Sequence, residues 1–345
     1  MKKEILALGF AALALASCGS GKEADSKLTS DSGDASENSE TAAYDFKWVT
    51  PTGAPTLAFY DQGANGNWVT ASNPSEVVAP SFAANSYDAI VFDGVSGLNL
   101  MAKNAKAANY KLARWINNLG FYVVSRNHTK EETATWNSTW TINGFVQTGN
   151  SSRAFLSLAK SVWGWGDVSN QVTYETGVSQ VATNIASNGY DFYVVADPVY
   201  TNLKAKMGDK LNLIYDMQEE WGKAHNGNSI PSAALFVNTS LYSAHKTDYE
   251  KFLKETDERL NTLVDSPAKA EEALKKYASE NDGAVVSGNY MKFGIAESIV
   301  NSLANLQKNN TFGFIKTADA KDKKAVANTF NEALGGAAFS DSLFL

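Results

Sequence analysis

Cysteine and histidine are scarce in this chain of 345 residues, which contains one cysteine and three histidines. A single thiol cannot form a disulfide within the chain, and it cannot supply the ligands of an Fe–S cluster. His128, His225 and His245 lie in polar stretches without the paired spacing of a zinc motif. We therefore predict no metal and no cofactor, and we expect stability to come from core burial.

Long apolar runs and basic blocks are also missing. After residue 16 no segment approaches the roughly 18–20 consecutive apolar residues of a membrane-spanning helix. The formal net charge is −7, and without a basic block this argues against nucleic acid as a partner. The sequence also lacks GxSxG, HExxH and P-loop motifs, so we predict that the protein is not an enzyme.

The N-terminus combines a short positive start with an apolar stretch. Lys2 and Lys3 precede residues 5–16, which are apolar but too few to span a bilayer, and the stretch ends in Leu-Ala-Ser-Cys18. This end resembles the lipobox of bacterial lipoproteins, in which the cysteine is alkylated with diacylglycerol, the leader is cut before it, and the new amine is often acylated. The resemblance implies a signal peptide of residues 1–17 and a lipid anchor on Cys18 at the extracytoplasmic face of the cell membrane. The alternative is an ordinary secretory leader with a chance cysteine.

Residues 18–43 differ in composition from the rest of the chain. After the cysteine they are mostly Ser, Asp, Glu, Gly, Lys and Ala, with Leu28 as the one large apolar side chain. Such a segment cannot bury enough surface to offset its ordering entropy. We expect a flexible tether that carries a folded body beginning at Tyr44.

In the folded body, short apolar runs alternate with helical patterns, which is typical of α/β architecture. The strand candidates cover residues 46–50, 57–60, 89–92, 112–116, 121–125, 141–147, 171–174, 192–195, 213–215 and 234–237. The helix candidates cover residues 152–162, 248–264, 296–306 and 320–334. Two polar stretches, residues 126–138 and 221–232, read as crossovers between lobes. The pattern predicts one lobe from residues 44–125 and 233–345 and a second from residues 126–232, with a ligand cleft between them.

Four segments in this order resemble the type 2 periplasmic-binding-protein family, in particular the branch that binds nitrate, taurine, alkanesulfonates and thiamine precursors. They are TPTGAPT at 50–56, YDAIVFDG at 87–94, INGFVQTGNSSR at 142–153 and NGYDFYVVADP at 188–198. The sequence departs from the family where Asn143-Gly144-Phe145 lacks the usual lysine and where Asp197 stands before proline instead of the commoner Glu. The resemblance implies a monomer that binds a small molecule between two lobes, closes by hinge motion, docks on an ABC permease and does no covalent chemistry. The ligand is left open between a small anion such as a sulfonate and a heteroaromatic vitamin precursor.

The candidate ligand contacts lie at helix starts and strand ends. A helix N-terminus offers unpaired N–H groups, and strand ends face the crevice of an open α/β sheet. Each turn has a purely structural alternative, as a helix cap or a strand-to-helix turn. The predicted contacts are Thr52, Gly53, Pro55 and Thr56 in the first turn; Asp93, Gly94 and Ser96 in the second; Asn150, Ser151, Ser152 and Arg153 in the third; Asp197 and Tyr200 in the fourth; and Trp115 as a ring near the crossover.

Two other functions stay open at this stage. An enzyme of similar fold, of the menaquinone or pyrimidine biosynthesis type, is the first, although export argues against a cytoplasmic substrate. A surface adhesin or antigen without a small ligand is the second. A ligand-induced thermal shift would distinguish the binding protein from the adhesin.

Overall fold

The computed structural model describes residues 44–118, 120–308, 312–316 and 322–345. Its strands are β1 (Trp48–Pro51), β2 (Trp68–Ala71), β3 (Ala89–Asp93), β4 (Tyr110–Trp115), β5 (Phe121–Ser125), β6 (Ile142–Phe145), β7 (Val172–Glu175), β8 (Phe192–Ala196), β9 (Asn212–Asp216), β10 (Ala233–Asn238), β11 (Val285–Val286), β12 (Asn289–Tyr290) and β13 (Ile295–Ala296). Its α-helices are α1 (Val78–Ala84), α2 (Gly94–Lys103), α3 (Asn150–Ser161), α4 (Val178–Ser187), α5 (Val199–Met207), α6 (Met217–Ala224), α7 (Thr239–Tyr242), α8 (Lys246–Asp265), α9 (Pro267–Glu280), α10 (Glu297–Val300), α11 (Leu303–Lys308) and α12 (Lys323–Ala333).

Lobe one is built on a five-stranded sheet with the order β2-β1-β3-β10-β4. Strand β1 runs parallel to β2 and β3, whereas β10 runs antiparallel to β3 and β4. The central strands β3 and β10 are continuous apolar runs, and almost all their side chains are buried. Such runs are expected where helices cover both faces of a sheet.

Lobe two repeats this arrangement with the order β7-β6-β8-β5-β9. Strand β6 runs parallel to β7 and β8, and β5 runs antiparallel to β8 and β9. The predicted two-lobed α/β fold is therefore confirmed, with equivalent sheets in the two lobes.

The predicted position of the first crossover is wrong. We placed residues 121–125 at the end of lobe one, but β5 pairs with β8 and β9 in the sheet of lobe two. The chain crosses between β4 and β5, over Ile116, Asn117 and Asn118, and the polar stretch 126–138 lies within lobe two. A crossover of three residues is too short to differ in composition from the strands beside it. The longer polar stretch 126–138 has such a difference, and this is why the prediction placed the crossover there.

The two crossovers are hydrogen-bonded to each other. The Asn117 carbonyl accepts from the Ser232 amide at 3.1 Å, and its side-chain oxygen accepts from the Ala233 amide at 3.2 Å. A third segment lies beside them, because the Asn118 amide donates to the Gly313 carbonyl at 2.8 Å. These contacts join the lobes through a narrow strip of backbone, which is the geometry of a hinge.

Several predicted elements differ from the structure. Residues 57–60 are not a strand; they fall largely within a 3₁₀-helix, Ala54–Phe59, whose first turn holds Pro55. Proline fixes φ for a first helical turn and gives up an N–H that would be unpaired there. The edge strand β2 was missed because its four residues stand between glycine- and asparagine-rich turns. The predicted helix 296–306 is split at Asn301 into α10 and α11.

The C-terminal part beyond β10 extends lobe one. Helices α8 and α9 pack on each other, and α8 packs on the 3₁₀-helix 54–59, while β11, β12 and β13 form a small antiparallel sheet. Helix α12 contacts α2 and β4 of lobe one. In the part of the chain that the structure describes, none of the helices is both long and apolar enough to cross a membrane.

Candidate ligand-binding site

A cavity of about 320 Å³ lies between the lobes, at the carboxyl ends of their parallel strands. Strands β1 and β3 reach it from lobe one at Pro51 and Asp93, and β6 and β8 reach it from lobe two at Phe145 and Ala196. After each of these strands the chain turns and a helix begins. This is where ligands bind in open α/β sheets, and the volume suits a small organic molecule.

Asp93 joins the two lobes at the cavity. Its Oδ1 accepts from the Ser96 amide at 2.9 Å and caps α2, while its Oδ2 accepts from the Asn150 amide at 3.0 Å, the first residue of α3 in lobe two. The Ser96 hydroxyl makes a second bridge when it donates to the Thr148 carbonyl at 3.2 Å. Burial raises the pKa of the Asp93 carboxyl, and the two amide hydrogen bonds oppose that change.

The first residues of α3 point in four directions because successive helical residues are rotated by about 100°. Ser151 lines the cavity, and although the residue is only 4% exposed, its hydroxyl has no hydrogen-bond partner among the described residues. The Asn150 side chain donates to the Pro231 carbonyl at 2.8 Å, and the Ser152 hydroxyl donates to the Phe145 and Val146 carbonyls at 2.9 and 3.1 Å. The structural alternative, a helix cap, is not found for either serine, since no side chain caps the helix at its N-cap Gly149.

Arg153 lies away from the cavity. Its Nη2 donates to Asn331 Oδ1 at 3.0 Å, and its guanidinium lies 5.8 Å from the centre of the Phe330 ring. Both partners belong to α12, and Phe330 also packs against Trp221 of lobe two with ring centres 5.1 Å apart. Arg153, which the sequence predicted as a ligand contact, therefore contacts the C-terminal helix instead.

The turn after β1 is shaped by a second turn that the sequence did not predict. Gly53 has φ 99°, and its amide donates to the Phe293 carbonyl at 2.8 Å. The Thr56 hydroxyl is buried and donates to the Gly53 and Phe293 carbonyls at 2.7 and 3.1 Å. Gly294 lines the cavity beside Thr52, and a Cβ at that glycine would lie 2.6 Å from the Thr52 Cβ.

Asp197 is buried at the end of β8 and holds three hydrogen bonds. Its Oδ2 accepts from the Tyr122 hydroxyl at 2.7 Å, and its Oδ1 accepts from the Thr201 amide and hydroxyl at 3.1 and 2.7 Å. Burial raises the pKa of the Asp197 carboxyl. Tyr200 stacks on Tyr122 with ring centres 4.1 Å apart and does not line the cavity.

The predicted site residues thus fall into two groups. Those that line the cavity are Thr52, Gly53, Pro55, Asp93, Ser96, Ser151 and Asp197. Those that lie behind the lining are Thr56, Gly94, Trp115, Asn150, Ser152, Arg153 and Tyr200. Trp115 is buried against Gly94, and its indole N–H donates to the Lys323 carbonyl at 3.2 Å.

Other lining residues were missed. The aromatic surface comes from Phe92, Phe121 and Phe145, and the start of α4 contributes residues 176–179. The signal for α4 was present, because Thr176 and Gly177 follow β7 as Thr52 and Gly53 follow β1. Trp163 and Trp165 do not line the cavity and belong to an aromatic cluster of lobe two.

The cavity is mainly apolar, and its charged residues are two carboxylates. Asp93 and Asp197 line it, whereas Lys, Arg and His do not occur among the described lining residues. Among the residues that the structure describes, no group of three His, Cys, Asp or Glu side chains is placed to hold a metal ion.

The sequence matches no protein-family model and no curated protein. Its structure is similar to the periplasmic aliphatic sulphonate binding protein SsuA from Escherichia coli, at 11% identity and a TM-score of 0.57, over 84% of this chain and 90% of that one. It is similar to an ABC transporter structure from Parabacteroides distasonis at 14% identity and a TM-score of 0.53, over 87% of this chain and 98% of that one. It is also similar to the Candida albicans CA3427 gene product, described as having the generic periplasmic binding protein fold, at 12% identity and a TM-score of 0.55, over 86% and 92% of the two chains. The chain therefore has the fold of the periplasmic binding proteins.

Proposed function

We propose that this protein is the solute-binding component of an ABC importer, which captures a small molecule between its lobes and delivers it to a permease. The observation that carries the proposal is the cavity itself, which both lobes form at the carboxyl ends of equivalent strands. A ligand that contacts both lobes binds the closed conformation more tightly than the open one, and this difference in affinity shifts the protein toward the closed conformation. Under this proposal, one lobe rotates on the other about the three segments at the hinge.

The fold neighbours support this role, since the Staphylococcus aureus protein is named as the ligand binding component of an ABC-type import system and the Escherichia coli protein as a periplasmic aliphatic sulphonate binding protein. Phe92, Phe121 and Phe145 give the cavity a surface suited to a ring, which favours a heteroaromatic vitamin precursor, with a small organic anion as the other candidate. The protein would bind its ligand without changing it chemically. An enzyme would differ from this proposal by turning the ligand over, and an adhesin by binding none.

Lobe closure can be measured directly because the only cysteine in the chain is Cys18. In a Cys18→Ser background, Lys103→Cys in α2 and Lys160→Cys in α3 place labels on exposed sites of the two lobes. We expect the distance between the labels to shorten when the ligand is added. A control pair within lobe one, Lys103→Cys and Lys251→Cys, should not change. An interlobe distance that stays constant at saturating ligand would contradict the proposal.

Anchoring is a separate proposal, because Cys18 and residues 1–43 lie outside the described residues. We expect Cys18→Ser to abolish incorporation of labelled fatty acid and to release the body from membranes. Ser17→Ala keeps a small residue before the cysteine and should leave labelling intact. Membrane partitioning that survives Cys18→Ser would rule out the lipid anchor.

A further inference from the structure

We infer that the cavity takes a small molecule without net negative charge, whose N–H donor group hydrogen-bonds to the carboxylate of Asp93. The inference rests on the function proposed above and decides between its two ligand classes. It follows from the hydrogen bonds that the lining residues already make.

Asp93 has unused acceptor capacity at the cavity. A carboxylate offers about four lone-pair positions. The Ser96 and Asn150 amides use two of those of Asp93, and the Ser96 hydroxyl also acts on the carboxyl. Asp197 has less to offer, since it already accepts three hydrogen bonds from Tyr122 and Thr201. A ligand N–H placed against Asp93 would meet a free acceptor on a residue that lines the cavity.

Three of the helix starts near the cavity already carry an internal carboxylate. The first amide of α3 donates to Asp93 at 3.0 Å, so an internal carboxylate sits on that helix end. Each helix N-terminus carries roughly half a positive charge. Asp93 balances the ends of α2 and α3, and Asp197, through the Thr201 amide, lies at the start of α5. Among the described residues, the start of α4 and the start of the 3₁₀-helix Ala54–Phe59 line the cavity without a carboxylate on them.

The neighbouring charges do not supply a counter-charge for an anion. Arg153 is the cation that acts on Asp93, but its guanidinium is directed to Asn331 and Phe330 and does not line the cavity. Asp216 adds a further negative charge near Asp197. A ligand anion would lose its water in a mainly apolar space beside two carboxylates, which is unfavourable.

The remaining donors suit an uncharged acceptor group. The Ser151 hydroxyl has no hydrogen-bond partner among the described residues. The residue itself is buried, with 4% of its surface exposed. It can donate to a ring nitrogen or a carbonyl as readily as to an anion. A flat molecule with an N–H group toward Asp93 and an acceptor toward Ser151 would use both, with its ring against Phe121 and Phe145.

The test compares probes that share a ring and differ in the charge and donor groups of one substituent. Phenyl, pyridyl and pyrimidinyl rings, each bearing an aminomethyl, hydroxymethyl or sulfonatomethyl group, are titrated against the protein by calorimetry after removal of any bound ligand. We expect the amine, which offers N–H donors to Asp93, to bind at least tenfold more tightly than the sulfonate of the same ring, with the uncharged alcohol between them. A sulfonate that binds as tightly as its partners would overturn the inference while leaving the proposed function intact. Binding by none of the probes, with no interlobe closure, would count against the proposed function as well.

A variant assigns the preference to Asp93. Asp93→Asn should weaken amine binding by about ten- to hundredfold, the usual effect of losing one charge-assisted hydrogen bond. The difference in affinity between the amine and the sulfonate of the same ring should become smaller. The control, Asp322→Asn, removes a carboxylate that caps α12 at the Lys324 and Ala325 amides on an exposed surface. It should leave all affinities unchanged. If Asp93→Asn does not fold, the probe series on the unaltered protein still decides the question.

Discussion

Three neighbouring residues at the start of α3 should respond to alanine in different ways. Ser151 lines the cavity with an unpaired hydroxyl, Ser152 is turned toward the backbone at the end of β6, and Arg153 reaches α12. The substitutions Ser151→Ala, Ser152→Ala and Arg153→Ala therefore separate ligand binding from stability within one helical turn.

The expected magnitudes follow from the contacts. Ser152→Ala removes a hydroxyl that is shared by two carbonyls at 2.9 and 3.1 Å, which should cost about 1–2 kcal/mol of unfolding free energy. Arg153→Ala removes a hydrogen bond of 3.0 Å and a ring contact. Because the side chain is only partly buried, we expect about 1–2 kcal/mol there as well. Ser151→Ala should leave stability unchanged and weaken ligand binding about two- to tenfold, the effect of one neutral hydrogen bond.

The assay measures urea unfolding and ligand affinity on the same three proteins. The ligand is the molecule that copurifies with the protein from its host, removed by unfolding and added back after refolding. We expect affinity to fall only for Ser151→Ala and stability to fall only for the other two. A tenfold or larger loss of affinity in Arg153→Ala, with Ser151→Ala unaffected, would refute the assignment of these residues.

Two further predictions concern stability. Gly94→Ala would place its Cβ 2.0 Å from the buried Trp115 ring and should lower the unfolding free energy by about 1–3 kcal/mol in urea, whereas Gly66→Ala, with open space around its Cβ, should not. Burial raises the pKa of Asp197, so its contribution to stability is full below the ordinary carboxyl pKa of about 4 and is lost as pH rises through the raised value. The unfolding free energy of Asp197→Asn should therefore increase relative to that of the unaltered protein as pH rises above about 4. A difference in unfolding free energy that does not depend on pH would contradict this.

The sequence predicted the fold because its core strands are continuous apolar runs. Strands β3, β5, β8 and β10 stand out for this reason, and their order is that of a two-lobed α/β protein. The short edge strand β2 has no such run and was missed. The crossover at Asn117 could not be seen either, because the assignment of β5 to lobe two is made by its pairing with β8 and β9 and not by its composition.

The site was predictable where a residue directly follows a strand. Thr52, Asp93 and Asp197 lie at strand ends, so their position along the chain places them at the cavity. For the first turn of α3, position along the chain does not tell which side chains line the cavity and which point away from it, since one step along a helix turns a side chain by about 100°. Arg153 was misplaced for that reason, and its partner Asn331 is 178 positions away in the sequence.

Native mass spectrometry of the protein purified from its host tests the central claim most directly. The account predicts that the unaltered protein carries one small molecule, and that Ser151→Phe, which fills the cavity, carries none while remaining folded. Lys160→Phe, on an exposed site of the same helix, should retain the molecule. An unaltered protein without a bound molecule, or a Ser151→Phe protein that keeps it, would contradict a ligand site between the lobes.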